Sequence, residues 1–256
     1  MTALLEHLQS RRSGGRKLLV PYVMAGFPDR ASFPEVLATV SHHADAVEVG
    51  LPYSDPLMDG PVIAAAGVRA IAGGTGPIDA LEIVGESAAA PRVAMTYYNP
   101  IHRLGEEEFC RRAAKAGVAG LIVPDLPIEE SASLQKAASE QGVAWIPLVA
   151  PTSSLRRVEA IVATATGFVY AVSTLGVTGV RESLAGSAAL VVGACKAATD
   201  LPVLVGIGVS TPEHAVEASE TADGVVIGSA VVRRIHDDPA ELAPFLASIR
   251  AALEQV

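Results

Sequence analysis

Glu48 lies in the stretch ADAVEVGLPYSDPLMDGP, residues 44–61, inside an apolar, β-branched run; Asp59 follows just before Gly60 and Pro61. Keeping a carboxylate ionised in apolar surroundings is costly, so such a group finds donors or a cation, or its pKa rises. A carboxyl group with a raised pKa is suited to general acid and base work near neutral pH. If AVEVG is a strand, Val47 and Val49 share one face and Ala46, Glu48 and Gly50 the other. The valines then face covering helices, Glu48 points inward near the strand's C-terminal end, and Ala46 and Gly50 leave room around it for a ligand. The competing reading is a Glu paired with an interior Lys or Arg, and no other strand candidate supplies one. Asp59 and Asp55 share the loop LPYSDPLMDGP, where Asp before Pro or Gly is ordinary turn chemistry. The loop rises from the end that carries Glu48, which makes at least one of them a candidate second carboxylate.

A second chemistry is written in glycines. STLGVTG (173–179), GIGVS (206–210) and IGSAVV (227–232) each follow an apolar run. Glycines let backbone N–H groups approach an anion, and a helix starting at Gly228 and Ser229 adds its positive dipole end. Each glycine alone is equally consistent with tight strand-to-helix packing; together, at successive strand ends, they describe a phosphate cradle.

These residues need a scaffold that brings strand ends together. Apolar runs at 18–26, 46–50, 92–98, 120–125, 144–150, 167–173, 202–208 and 224–230 alternate with Ala-rich segments of helical period. Helix starts are expected at Ser32, Gly105, Ser153 and Thr211, the last followed by Pro212. Eight strand-helix units with continuously apolar strands predict a parallel α/β fold, a (β/α)8 TIM barrel, in a single domain over residues 1–256. Residues 2–11 predict an extra N-terminal helix closing the barrel floor, and residues 239–254 a closing helix. The first strand lacks the GxGxxG turn of a dinucleotide fold.

Composition narrows the function. Nineteen Lys and Arg against 28 Asp and Glu give a net charge of −9, and no basic run could follow a nucleic-acid backbone. Two cysteines, Cys110 and Cys195, have no companion ligands at metal spacing, so neither a metal site nor a disulfide framework is expected and the cytoplasm is the predicted compartment. Residues 18–27 mimic a signal-peptide core but are interrupted by Pro21, and no apolar run is long enough to span a bilayer; a soluble, unprocessed chain is expected.

The motifs VPYVMAGFP (20–28), DAVEVGLPYSDPLMDGPVI (45–63), MTYYNPI (95–101), GLIVPDLPIEES (120–131), LGVTGVR (175–181), GIGVS and DGVVIGSAVV (223–232) cover nearly the whole chain. In them the chain resembles the alpha subunits of tryptophan synthase. The resemblance implies a (β/α)8 barrel and retro-aldol cleavage of indole-3-glycerol phosphate to indole and glyceraldehyde 3-phosphate, without a cofactor in this chain. It implies Glu48 as acid and base and Asp59 as the partner of the indole N–H. It further implies Tyr22, Met95, Tyr97, Tyr170 and Thr178 around the substrate, Gly179, Ile207, Gly208, Gly228 and Ser229 around its phosphate, and a loop-communication role for Asp125. For Tyr170, a core tyrosine with a satisfied hydroxyl stays open. Family members associate with a beta subunit that carries pyridoxal phosphate, as an alpha2beta2 heterotetramer. Asp55 and Pro56, in a loop that also carries Leu57 and Met58, are the expected docking edge; the alternative is a loop folded over its own barrel mouth. Thr174 and Leu175 depart from the Arg and Ser that some members carry there, which bears on loop closure. Two other readings remain: a partner-activated binding subunit with little activity alone, and another phosphate-binding barrel enzyme of aromatic biosynthesis, for which Lys17 lies too far before the first strand's end to serve as a catalytic lysine.

Overall fold

The computed structural model describes residues 1–85, 89–172, 184–206 and 208–256. Among them nine parallel strands form one sheet: β1 (Leu18–Met24), β2 (Val47–Gly50), β3 (Arg92–Met95), β4 (Val118–Ile122), β5 (Ala144–Trp145), β6 (Leu148–Val149), β7 (Val169–Val172), β8 (Val203–Gly206) and β9 (Gly224–Ile227). Their order is β5-β4-β3-β2-β1-β9-β8-β7-β6. The expected fifth strand is two, because Pro147 has no N–H to give to a ladder. The residues between the halves still close the ring. Ile146 N donates to Leu121 O on the β4 side at 3.0 Å, and Pro147 O accepts from Tyr170 N on the β7 side at 3.0 Å. The result is the expected TIM barrel, with the fifth position kinked.

Period-two alternation sorts the strand side chains into two layers. Val20, Ala46, Val93, Ile122, Leu204 and Val226 fill the barrel interior, while Val47 and Val49 pack outward with the helices. The interior is capped from below by the helix Ala3–Arg12, one residue later than expected at each end. Leu4 and Leu8 are buried in the inner layer. Gly120 is small because Ile146 and Leu4 stand there: a Cβ on it would lie 2.5 Å from Ile146 Cδ1 and 2.8 Å from Leu4 Cδ2.

The floor also holds an ion cluster that the sequence reading did not single out. Asp45, fully buried, accepts from Leu19 N at 2.9 Å and pairs with Arg11 at 2.8 Å, Arg250 at 3.0 Å and Arg16 at 3.2 Å. One carboxylate thereby ties the N-terminal helix, β1 and the closing helix Leu242–Leu253 together.

Several boundaries moved for local reasons. The run 92–98 leaves the sheet at Met95, because the Asp125 carboxylate accepts Tyr98 N at 2.9 and 3.2 Å and starts the helix Tyr98–Leu104. The helix Leu155–Val162 is capped by Ser154, not Ser153, through Arg157 N at 3.4 Å. At Ser32 the capping acceptor is Asp29, which takes the amides of Ala31 at 3.0 Å and Ser32 at 2.9 Å. Thr211 caps its helix as expected, accepting His214 N at 3.3 Å. Two further helices, Pro61–Ala72 after β2 and Ser229–Asp237 after β9, flank the C-terminal end of the barrel. No helix among the described residues is long and apolar enough to cross a membrane.

Candidate active site

A cavity of about 150 Å³ opens at the C-terminal strand ends, and Glu48, Asp59, Tyr22, Met95, Tyr170 and Gly228 all line it. Register explains the grouping: Glu48 on β2 pairs with Tyr22 on β1 and Val93 on β3, so Tyr22 and Glu48 meet across adjacent strands on the inner face.

Glu48 is 3 % exposed. Among the described residues it has no ion pair; Arg92, the one basic residue in the strands, turns away to donate to Gly117 O at 3.0 Å. Burial, with Asp59 adding to it, pushes the Glu48 carboxyl up to about 8. An isolated acid in an apolar cylinder therefore keeps its proton at neutral pH. The expected free space beside Glu48 is only partly there. Above Gly50 it is taken by the Tyr22 ring, which a Cβ on Gly50 would overlap. Likewise Tyr170 sits where a Cβ on Gly206 would be.

Asp59 is held by a residue far along the chain. Tyr97 Oη donates to Asp59 Oδ1 at 2.8 Å and accepts Met58 N at 3.0 Å. The Tyr97 ring stacks on Tyr53, centroids 5.3 Å apart, and Tyr53 Oη accepts from Asn99 Nδ2 at 2.8 Å. Burial raises the Asp59 pKa while the Tyr97 bond pulls it back. Expected beside the substrate, Tyr97 is instead outside the cavity lining and behind Asp59, which it aims. Met58, Ile63, Ile122, Pro124 and Leu148 also line the cavity; as ordinary apolar residues they carried no distinguishing mark in the sequence.

On the phosphate side, Gly228 precedes the helix Ser229–Asp237 and borders the cavity. A Cβ on Gly228 would lie 3.4 Å from Ile63 Cδ1, at ordinary contact distance, so a larger side chain there would crowd Ile63 beside the backbone amides of this helix start. Gly208 is exposed and Ser229 half-buried. Thr178, Gly179 and Ile207, with Thr174 and Leu175, lie outside the described residues.

The loop after β2 covers the mouth with one part and leaves another part exposed. Met58 and Asp59 bend over the mouth, while Asp55 is exposed, Pro56 half-buried and Leu57 81 % exposed. A larger cavity of about 770 Å³ lies between the helices Tyr98–Leu104, Glu106–Lys115 and Ala132–Glu140. Glu108 there is pinned by Arg111 and Arg112 and held down at about 2. Among the described residues no cluster of three His, Cys, Asp or Glu could hold a metal ion.

A buried acid facing a second carboxylate, with a glycine-started helix beside them, can protonate and deprotonate a substrate whose anionic end is gripped by amides. Comparison with known proteins agrees. A family model described as "Tryptophan synthase alpha chain" matches residues 8–255. A tryptophan synthase alpha chain from Carboxydothermus hydrogenoformans is 44% identical over 241 residues, 93% of this chain and 90% of the relative. One from Gloeobacter violaceus is 49% identical over 219 residues, 84% and 79% of the two chains. Among solved structures, a chain of M. tuberculosis tryptophan synthase in an aminoacrylate-bound form matches with TM-score 0.91 and 36% identity, covering 99% of this chain and 100% of that one. Tryptophan synthase subunit alpha from Legionella pneumophila matches with TM-score 0.90 and 31% identity over 100% of both chains.

Proposed function

The chain belongs to the tryptophan synthase alpha chain family, lyases that cleave indole-3-glycerol phosphate to indole and glyceraldehyde 3-phosphate, and from that premise we propose that Glu48 and Asp59 carry the reaction. The observation that supports this reading best is a buried Glu48 with its pKa raised to about 8. Its carboxylic acid protonates indole C3, while the Asp59 carboxylate takes the indole N–H into a hydrogen bond and stabilises the charge that forms as the ring tautomerises. The resulting Glu48 carboxylate then removes the proton of the side-chain hydroxyl. As the aldehyde C=O forms, the C–C bond to indole C3 breaks and its electron pair returns to the ring. Glu48 gives one proton and takes one back, so it ends as it began.

Tyr22, Met95 and Tyr170 pack the ring, and Tyr97 contributes by fixing Asp59. Gly208, Gly228 and Ser229, together with Gly179 and Ile207, hold the phosphate through backbone amides rather than net charge, and Thr178 belongs with the substrate-binding residues. The proton transfers need only carboxylates, so pyridoxal phosphate is assigned to a beta partner and not to this chain. That beta subunit docks on the edge carrying Asp55 and Pro56, where exposed Leu57 supplies apolar surface, in an alpha2beta2 assembly working in the cytoplasm; residues 1–256 act as one domain. A neighbouring barrel enzyme using an early lysine fits less well, because Lys17 Nζ is tied to Ser219 O at 2.6 Å and Ala222 O at 3.1 Å.

The test is Glu48→Gln assayed on indole-3-glycerol phosphate. Cleavage should collapse while binding of the substrate persists; undiminished turnover would remove Glu48 from the mechanism. Indole release with and without a beta subunit separates an alpha chain active alone from one activated by its partner.

A further inference from the structure

The helices Pro61–Ala72 and Ser229–Asp237 border the catalytic cavity through Ile63 and the capping Gly228, and on their other side they flank a second, larger cavity of about 360 Å³ that is open to solvent. That volume lies in the range of small-molecule sites, roughly 300 to 1,000 Å³. Its floor is apolar: Phe27, 2 % exposed, with Val62 and Val232. Its rim is cationic, carrying Arg69 and Arg233. The Arg69 guanidinium carbon stands 5.6 Å from the centroid of the Phe27 ring, and the His236 ring stacks on the same phenyl at 6.2 Å and 16°.

The charges there are unbalanced. Asp237, the one carboxylate of the lining, engages His236 Nδ1 at 2.9 Å. Asp29 feels Arg69 at longer range but is bound by Ser32 and the Ala31 amide. Neither Arg69 nor Arg233 forms an ion pair among the described residues. Two guanidinium groups with no ion pair among the described residues, beside apolar walls and a stacked imidazole, match a flat apolar body bearing one planar anion. A guanidinium binds a carboxylate through two parallel N–H bonds.

We propose that this cavity is a second ligand site, distinct from the catalytic one, for aromatic monocarboxylates. The ring lies on Pro61, Val62 and Ala65, beside the His236 ring that already stacks on Phe27, and the carboxylate is held by Arg69 and Arg233. A bound molecule contacts both helices that border the catalytic cavity, which is where a ligand could adjust the grip on a phosphorylated substrate.

Calorimetric titration of the full chain with naphthalene-2-carboxylate reads this directly, without any turnover assay. Saturable binding of one equivalent is expected, weakened about tenfold or more in Arg69→Met and in Arg233→Met, the loss of a charge-assisted hydrogen-bonded pair. The neutral analogue naphthalen-2-ylmethanol should bind about tenfold more weakly to the unaltered chain and be indifferent to either substitution. Ala65→Trp, which fills the cavity from an exposed helix position, should abolish both. Circular dichroism checks that the variants fold. Absence of saturation at millimolar ligand, equal binding by the arginine variants, or competitive displacement by glycerol 3-phosphate would overturn the assignment.

Discussion

At Glu48, burial does two things at once: it makes the group a competent acid near neutral pH and it makes the protein's stability depend on pH. In the fold the carboxyl holds its proton up to about 8, whereas a free glutamate releases it near 4.5. Between those values the folded state binds more protons than the unfolded one, so stability should fall as pH rises through the window and level off above it. Glu48→Gln removes that dependence, so its melting temperature, followed across the window, should decline less than that of the unaltered chain and exceed it at the alkaline end. The same group should give turnover an alkaline limb with an apparent pKa near 8. Tyr97→Phe tests the second carboxylate. Losing the 2.8 Å donor removes the interaction that pulls the Asp59 pKa down. The acidic limb of kcat/KM should move to higher pH, with activity down about tenfold, the effect of one hydrogen bond to a charged group. A limb that stays put would leave Tyr97 a packing residue. Glu48 was legible in the sequence because a lone charge in an apolar run, combined with period-two alternation, fixes which way it points. Tyr97 was legible only as a residue near the site, since its partner Asp59 lies 38 positions away and alternation says nothing about loops.

At the scale of elements, strands announced themselves by β-branched runs, whereas their ends were decided by partners distant in sequence. The run 92–98 gave no sign of stopping at Met95, because the group that stops it is Asp125, just past the end of the next strand. Pro147 was in plain view, yet a proline in an apolar run does not say whether the strand dies or divides; the bonds of Ile146 and Pro147 to both neighbours decide for division. Gly50 was read as room for a ligand and the later glycines as room for an anion, and the structure separates them. Gly50 and Gly206 make room for Tyr22 and Tyr170, while Gly228 stands at a helix start beside the cavity. Gly228→Leu should therefore act on substrate affinity first. The new side chain meets Ile63 and covers the first amides of Ser229–Asp237, so KM for indole-3-glycerol phosphate should rise about tenfold or more, with a smaller change in kcat. Unchanged KM would mean that the phosphate is held elsewhere.

Across the whole molecule the two ends of the barrel divide the work: at the top the Glu48 carboxyl is left without a cation for chemistry, and at the floor the Asp45 carboxylate is surrounded by cations for stability. Glu48 has no cation among the described residues, while Asp45, three positions earlier, has Arg11, Arg16 and Arg250 together with an amide. Asp45 escaped notice because ADAVE reads as a turn leading into a strand, and its arginines come from both chain termini, up to 205 positions away. Removing one member of a buried ion cluster leaves the others uncompensated, which typically costs about 3 to 5 kcal/mol. Asp45→Asn should accordingly lower the unfolding free energy read from urea titration by an amount in that range, with the exposure of Arg11 placing it toward the lower end. Because the floor lies at the other end of the strands from Glu48 and Asp59, the folded fraction should keep its KM and its alkaline limb. If Asp45→Asn instead altered the pH profile of cleavage at unchanged stability, the division between a structural floor and a chemical mouth would be wrong, and the arginine cluster would have to be counted among the groups that set the charge of Glu48.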